Sequence, residues 1–205
     1  PVHTVEAWIK PERASGGRIA GHVAGPGQAC SLGMGLHLSA GGVCYGVDVS
    51  GCGSGSSLCG PVSLGAWTHV AGSYAGGTMR LFIDGALVDQ RGGVRFDPSN
   101  FMSAGATVFF NGPQNYYMGE LDELRIWNVA RGAPEIASTM ARPLSGSEPG
   151  LVGYWTFNEG SGQQAADSSP SAVTGVLGRN NTVEASDPAW VPSTAPLGPF
   201  LSGAV

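Results

Sequence analysis

Few folds can accommodate the run Gly65-Ala-Trp-Thr-His-Val-Ala-Gly-Ser-Tyr-Ala-Gly-Gly-Thr-Met-Arg-Leu-Phe-Ile-Asp-Gly-Ala-Leu-Val-Asp89. Trp67, His69, Ala71 and Ser73 alternate with Thr68, Val70, Gly72 and Tyr74, the period-two pattern of a strand with two distinct faces. Ala75-Gly76-Gly77 turns the chain, because glycine tolerates the positive φ of a tight turn. Thr78 to Ile83 reads as a second strand. Asp84-Gly85 is a two-residue hairpin signal, since both central positions of a type I′ turn need φ > 0, and Ala86 to Gln90 returns as a third strand. An antiparallel meander is therefore the centre of the fold.

The same reading finds strands at Thr4–Lys10, Arg18–Val23, Leu32–Ser39, Val43–Val49, Thr107–Asn111, Met118–Trp127, Gly150–Phe157 and Val173–Leu177. In the first, Val5, Ala7 and Ile9 oppose Thr4, Glu6 and Trp8, and in Met118–Trp127 Leu124 and Ile126 share a face. Ser50–Pro61 reads as a loop and Gly92–Ala106 as a long connection. One short helix is expected after Gly132, with Glu135 at the capping-box position, Ile136 and Met140 on its packed side and Arg142-Pro143 ending it. Residues 1–190 form one domain on this reading. Residues 191–205 form a Pro-rich tail or linker, because proline cannot donate to a ladder.

With 12% charged residues and 34 Gly, the chain is too apolar for disorder and lacks the strict repeat of collagen. A net charge of −5 without a basic stripe argues against a nucleic-acid partner, and no apolar run is long enough for a membrane helix. Cys30, Cys44, Cys52 and Cys59 lie in one Gly/Ser-rich region, which suggests disulfides and an oxidising, extracellular or cell-surface setting. Four cysteines allow three pairings; Cys30–Cys44 and Cys52–Cys59 are favoured because Gly51–Gly60 buries little and needs a staple. Zinc is the competing reading, weakened by the lack of a Cys-x₂-Cys knuckle. Gln114-Asn115-Tyr116-Tyr117 has the amide-plus-aromatic composition that stacks on sugar rings and bonds their hydroxyls, and equally that of a plain polar loop. Asn180-Asn181-Thr182 is a glycosylation sequon, relevant only in a eukaryotic secretory host.

Trp67-x-His69-Val70-Ala71, Tyr74 and Leu81-Phe82-Ile83-Asp84-Gly85, with Gly119–Arg131 and Gly150–Gly162, resemble the laminin-G-like jelly rolls of the concanavalin A-like lectin/glucanase superfamily. The resemblance implies an all-β, antiparallel jelly-roll sandwich with one short helix. It also implies calcium held by loop carboxylates; Asp122 is the leading candidate, with Asp84, Asp97 and Asp167. Each of these also has a plain turn or backbone-bonding role. A retaining glucanase of the superfamily carries Glu-x-Asp-x-x-Glu on one strand, aiming two carboxylates into one cleft. Glu120-Leu121-Asp122 begins that pattern, but Arg125 stands where the acid is required. No nucleophile elbow or paired His motif replaces it, and His69 reads as a packed or hydrogen-bonded strand histidine.

The expected function is thus a non-catalytic extracellular recognition or adhesion module, binding a glycan or protein partner through loops at one end of the sandwich. One alternative is a structural subunit of a surface filament: the family's first Phe-Asp-Gly strand is not found, and the tail, its own or a neighbour's, could supply a strand. A glycoside hydrolase is the remaining alternative.

Overall fold

Alternation decides where each strand points. The structure, a computed structural model, describes residues 1–23, 33–39, 42–48, 57–95, 101–109, 112–178 and 181–198. The strands are β1 His3–Pro11, β2 Arg18–Val23, β3 Gly33–Ser39, β4 Gly42–Asp48, β5 Ser57–Pro61, β6 Thr68–Ala75, β7 Thr78–Ile83, β8 Ala86–Arg91, β9 Phe101–Ala104, β10 Thr107–Phe109, β11 Gly112–Gln114 and β12 Gly119–Trp127. After them come α1 Ala133–Ala137, β13 Leu151–Trp155, β14 Gln164–Ala165 and β15 Gly175–Val176. Six strands form one sheet in the order β13-β12-β1-β6-β7-β8, and five form the other, β5-β4-β3-β2-β9. Two-stranded ribbons, β10–β11 and β14–β15, lie outside them. The result is an antiparallel jelly-roll sandwich, as expected.

Val5, Ala7 and Ile9 of β1, Val70 and Tyr74 of β6, Met79 and Leu81 of β7 and Leu124 of β12 meet Met34, Leu36, Leu38, Val43, Tyr45 and Leu58 of the facing sheet in one core. The opposite set of the large sheet, with Thr4, Glu6, Trp8, His69, Ala71 and Ser73, is buried too, because residues 128–144 cross that outer face. Ile136 of α1 packs there on Ala71 and Phe82. Among the described residues no helix is long and apolar enough to cross a membrane.

Several expectations need correction. Within Gly92–Ala106, expected as a connection, Phe101–Ala104 is a strand that pairs with β2. Ser57–Pro61 is a strand, not part of a loop; it pairs along β4, and its signal is weak because Cys59 and Pro61 face outward beside glycine. That pairing sets Cys44 directly opposite Cys59, with Cα atoms 4.1 Å apart, and the two form a disulfide in place of the favoured neighbour pairs. Cys30 and Cys52 lie outside the described residues. The helix is only Ala133–Ala137, with the Glu135 carboxylate accepting the Gly132 N–H at 2.7 Å.

Tyr45 fixes the distance between the layers. Its ring lies flat against the backbone of Gly72, where an added Cβ would stand 2.1 Å from the ring. Its hydroxyl meets His3 Nε2 at 2.8 Å inside the core. Gly72→Ala therefore forces the ring off its site and is expected to cost at least about 2 kcal/mol, the usual scale of overpacking. Urea denaturation measures it, and an unchanged midpoint would contradict this account of the core.

Candidate functional site

Two places collect polar side chains, and they differ in access. The first is the covered outer face of the large sheet. Glu6, fully buried, accepts from Arg131 Nη1 at 2.9 Å and Trp127 Nε1 at 3.0 Å, with Arg125 Nη1 at 3.8 Å. Arg125 Nη2 bonds Glu123 Oε2 at 2.5 Å and the Arg142 carbonyl at 2.7 Å, while its Nη1 donates to the Thr139 carbonyl at 3.0 Å. Tyr154 donates to the same Glu123 oxygen at 2.7 Å, and the Arg131 guanidinium lies 4.0 Å from the Trp127 ring centroid. Burial pushes the Glu6 carboxyl up, and the charges of Arg131 and Arg125 pull it back. Two carboxylates and two guanidinium groups thus neutralise one another with no open side for a substrate. Their chemistry is cohesion.

Sequence reading sets Glu6 on the face opposite Val5, Ala7 and Ile9 but does not pair it with Arg131. The available signal is charge: Glu6 stands between Val5 and Ala7, and Arg125 between Leu124 and Ile126, each flanked by apolar residues.

The carboxylates considered for calcium stand apart. Asp84, at positive φ in its turn, accepts the His69 N–H at 2.9 Å. Asp167 accepts the N–H groups of Tyr154, Ser169 and Val173 at 2.8, 2.8 and 3.0 Å. Asp122 is 3% exposed; it accepts from the Glu123 N–H at 2.8 Å and the Ser193 hydroxyl, and burial raises its pKa. Asp97 lies outside the described residues, as does Asn180. The three described aspartates do not fit one shared ion, and among the described residues no three His, Cys, Asp or Glu side chains form such a group.

The second place is an end of the sandwich. Residues 115–118 tie the two sheets together there: Arg18 N donates to Asn115 O at 2.9 Å, Tyr117 N to Gly105 O at 2.7 Å and Glu12 N to Met118 O at 2.9 Å. Gly17 is required beneath this segment, because a Cβ would come within 2.5 Å of its backbone. The adjacent tyrosines then part company. Tyr117 is 9% exposed, joins the core and donates to Glu120 O at 3.1 Å, while Tyr116 is 50% exposed. Asn115, at φ +52, is exposed beside it, as is Met118. Gln114 is in β11, and its side chain lies outside the described set. Lys10 bonds Glu120 at 2.6 Å and sits 5.9 Å from the centre of the Trp67 ring. An exposed aromatic ring beside an amide on a braced loop can stack on an apolar ring face and bond its hydroxyls.

Residues 191–198, part of the stretch expected as a tail or linker, lie on their own domain, as does Trp190 just before them. Trp190 Nε1 donates to Gly162 O at 2.8 Å, Trp67 Nε1 to Thr194 Oγ1 at 3.0 Å and Gly198 N to Ala141 O at 2.7 Å.

A laminin G-type family model, described as concanavalin A-like lectin/glucanases superfamily, matches residues 3–137. No curated protein matches significantly. Among solved structures, a presumed carbohydrate binding protein from Bacteroides ovatus ATCC 8483 is 19% identical with a TM-score of 0.67, over 85% of this chain and 51% of that one. The chain thus spans about half that protein's length. The heptameric SAP-like pentraxin of Limulus polyphemus is 19% identical with a TM-score of 0.57, over 85% of this chain and 82% of that one. The Ruminococcus gnavus IT-sialidase CBM40, bound to α2,3 sialyllactose, is 15% identical with a TM-score of 0.56, over 67% of this chain and 81% of that one. At such identities the likeness establishes the fold.

His69 yields a test of the covered face. It is 1% exposed, edge-on to Trp8 at 5.4 Å, and neither ring nitrogen has a partner among the described residues, so it is packed rather than hydrogen-bonded. Burial, then the charges of Arg125 and Arg131, hold its pKa down to about 3 from 6.5. Between those values the unfolded chain binds the proton and the folded one does not, so stability rises with pH. From pH 7 to pH 5 this one residue is expected to remove about 2 kcal/mol. Glu6 and Asp122 titrate in both proteins, so wild type against His69→Phe isolates the effect in urea melts. Parallel pH profiles would contradict it.

Proposed function

The chain belongs to the concanavalin A-like lectin/glucanases superfamily, and from that premise we propose that it is a glycan-binding module. Sugar is captured at the end of the sandwich that presents Tyr116 and Asn115. One observation carries the reading: of two adjacent tyrosines, one is spent anchoring the loop and the other is left half exposed on that anchored loop. A ring held in place stacks on a sugar at little ordering cost. The carbohydrate-linked names among the structural neighbours agree with it.

A non-catalytic role is supported by the carboxylates on β12. Asp122 is buried beneath Ser193, Glu123 is bound by Arg125 and Tyr154, and Arg125 is locked in the same cluster, so no pair faces a cleft. The Cys44–Cys59 disulfide supports an extracellular or cell-surface setting. A strand-exchanging filament draws less support, since residues 190–198 are bonded to their own domain and contain no strand.

A glycan array, followed by titration calorimetry on the strongest ligand, tests the proposal. Tyr116→Ala is expected to weaken binding at least about tenfold, or roughly 1.4 kcal/mol, and Tyr117→Phe, which keeps the buried ring and loses only the bond to Glu120 O, to weaken it less. No selective glycan, or equal binding by Tyr116→Ala, overturns the assignment.

A further inference from the structure

On the outer face of the large sheet, cross-strand register sets Asp122 of β12 beside Trp8 of β1, and Trp8 beside His69 of β6. Trp67 precedes β6 by one residue, with Lys10 and Glu120 close by. A carboxylate, two indoles and an imidazole with two unpartnered ring nitrogens thus occupy one stretch of the sheet. The helical segment covers one side of it, where Trp8 donates to Met140 O at 2.7 Å. The other cover is the chain's own tail.

The tail meets this surface through two consecutive hydroxyls. Ser193 donates to Asp122 Oδ2, and Thr194 accepts from Trp67 Nε1 at 3.0 Å. Prolines flank the pair at Pro192 and Pro196. A pyranose offers the same features: adjacent hydroxyls that donate and accept, on a ring with an apolar C–H face that suits an indole. Few polar contacts hold the strap, since among the described residues its side-chain bonds to the domain between the anchors at Trp190 and Gly198 are those of Ser193 and Thr194.

We propose that this outer face is a second saccharide site, occupied in the structure by residues 191–198, whose Ser193 and Thr194 hydroxyls stand where two adjacent sugar hydroxyls would bind. The ligand class is a neutral hexopyranose. Lys10 is already neutralised by Glu120, and the Asp122 carboxylate would repel an acidic sugar. The strap is then a built-in competitor, and ligand binds in proportion to the population in which it has lifted. The inference rests on the glycan-binding reading for its ligand class but uses a different surface from the Tyr116 loop.

The test compares the intact chain with one lacking residues 191–205, by calorimetric titration of maltose, cellobiose, lactose and mannobiose. The truncated protein is expected to bind at least one of them about tenfold more tightly than the intact chain. Asp122→Asn should remove that gain, and a synthetic peptide of residues 191–198 should compete. A truncated protein that keeps its circular dichroism and binds none of the four more tightly overturns the proposal. Should truncation unfold the chain, the Ser193→Ala/Thr194→Ala double variant carries the same comparison, with a several-fold gain expected and no gain overturning it. Tyr116→Ala in the truncated chain separates the two sites. A gain that survives supports the outer face, even if the intact chain binds nothing on an array, and a gain that vanishes assigns all binding to the loop.

Discussion

Glu6 is fully buried and bound to Arg131, with Arg125 beside it, and much of the structure depends on that contact. A carboxylate taken from water costs several kcal/mol unless its partners are in place. The sheet can keep Glu6 on its outer face only if Arg131 folds back over it. That requirement draws residues 128–144 across β1, β12 and β6. Arg125 extends the hold by binding the Thr139 and Arg142 carbonyls just past the short helix, where backbone acceptors would otherwise lack donors. Such a cluster adds less to stability than its short distances suggest; its larger effect is to select one arrangement of the covering segment.

Where that cover ends, the strap begins. Trp8 bonds Met140 on the helical side, while Asp122 and Trp67 bond Ser193 and Thr194 on the other. The same sheet is therefore closed permanently on one part and by a lightly held segment on the next. Across the sandwich, Tyr45 against Gly72 sets the layer spacing, and the 115–118 loop joins the sheet ends so that Tyr116 is presented on a braced backbone.

The strands are legible in the sequence because alternation is local. Val5, Ala7 and Ile9 set against Glu6 and Trp8 distinguish the two faces of β1, and Asp84-Gly85 marks the hairpin between β7 and β8. What escapes a sequence reading is set by contacts distant along the chain. Cys44 pairs with Cys59 because β5 lies along β4, and Ser57–Pro61 carries too few apolar residues to announce a strand. Composition cannot tell Tyr116 from Tyr117; only the loop's register against Gly17 and Gly105 separates the exposed ring from the buried one. The tail reads as a linker since proline cannot join a ladder, yet Ser193 and Thr194 need none to dock. A motif singles out Asp122, and the fold surrounds it with a backbone N–H and a tail hydroxyl.

A double-mutant cycle between Glu6 and Arg131 tests the central dependence most directly. Glu6→Leu, Arg131→Met and the pair would be followed by urea denaturation. Each single change leaves a buried charge without its closest partner and is predicted to cost about 3–5 kcal/mol, with the double variant costing far less than their sum. Single costs that add to within about 0.5 kcal/mol would contradict the account, because the two charges would then be acting independently.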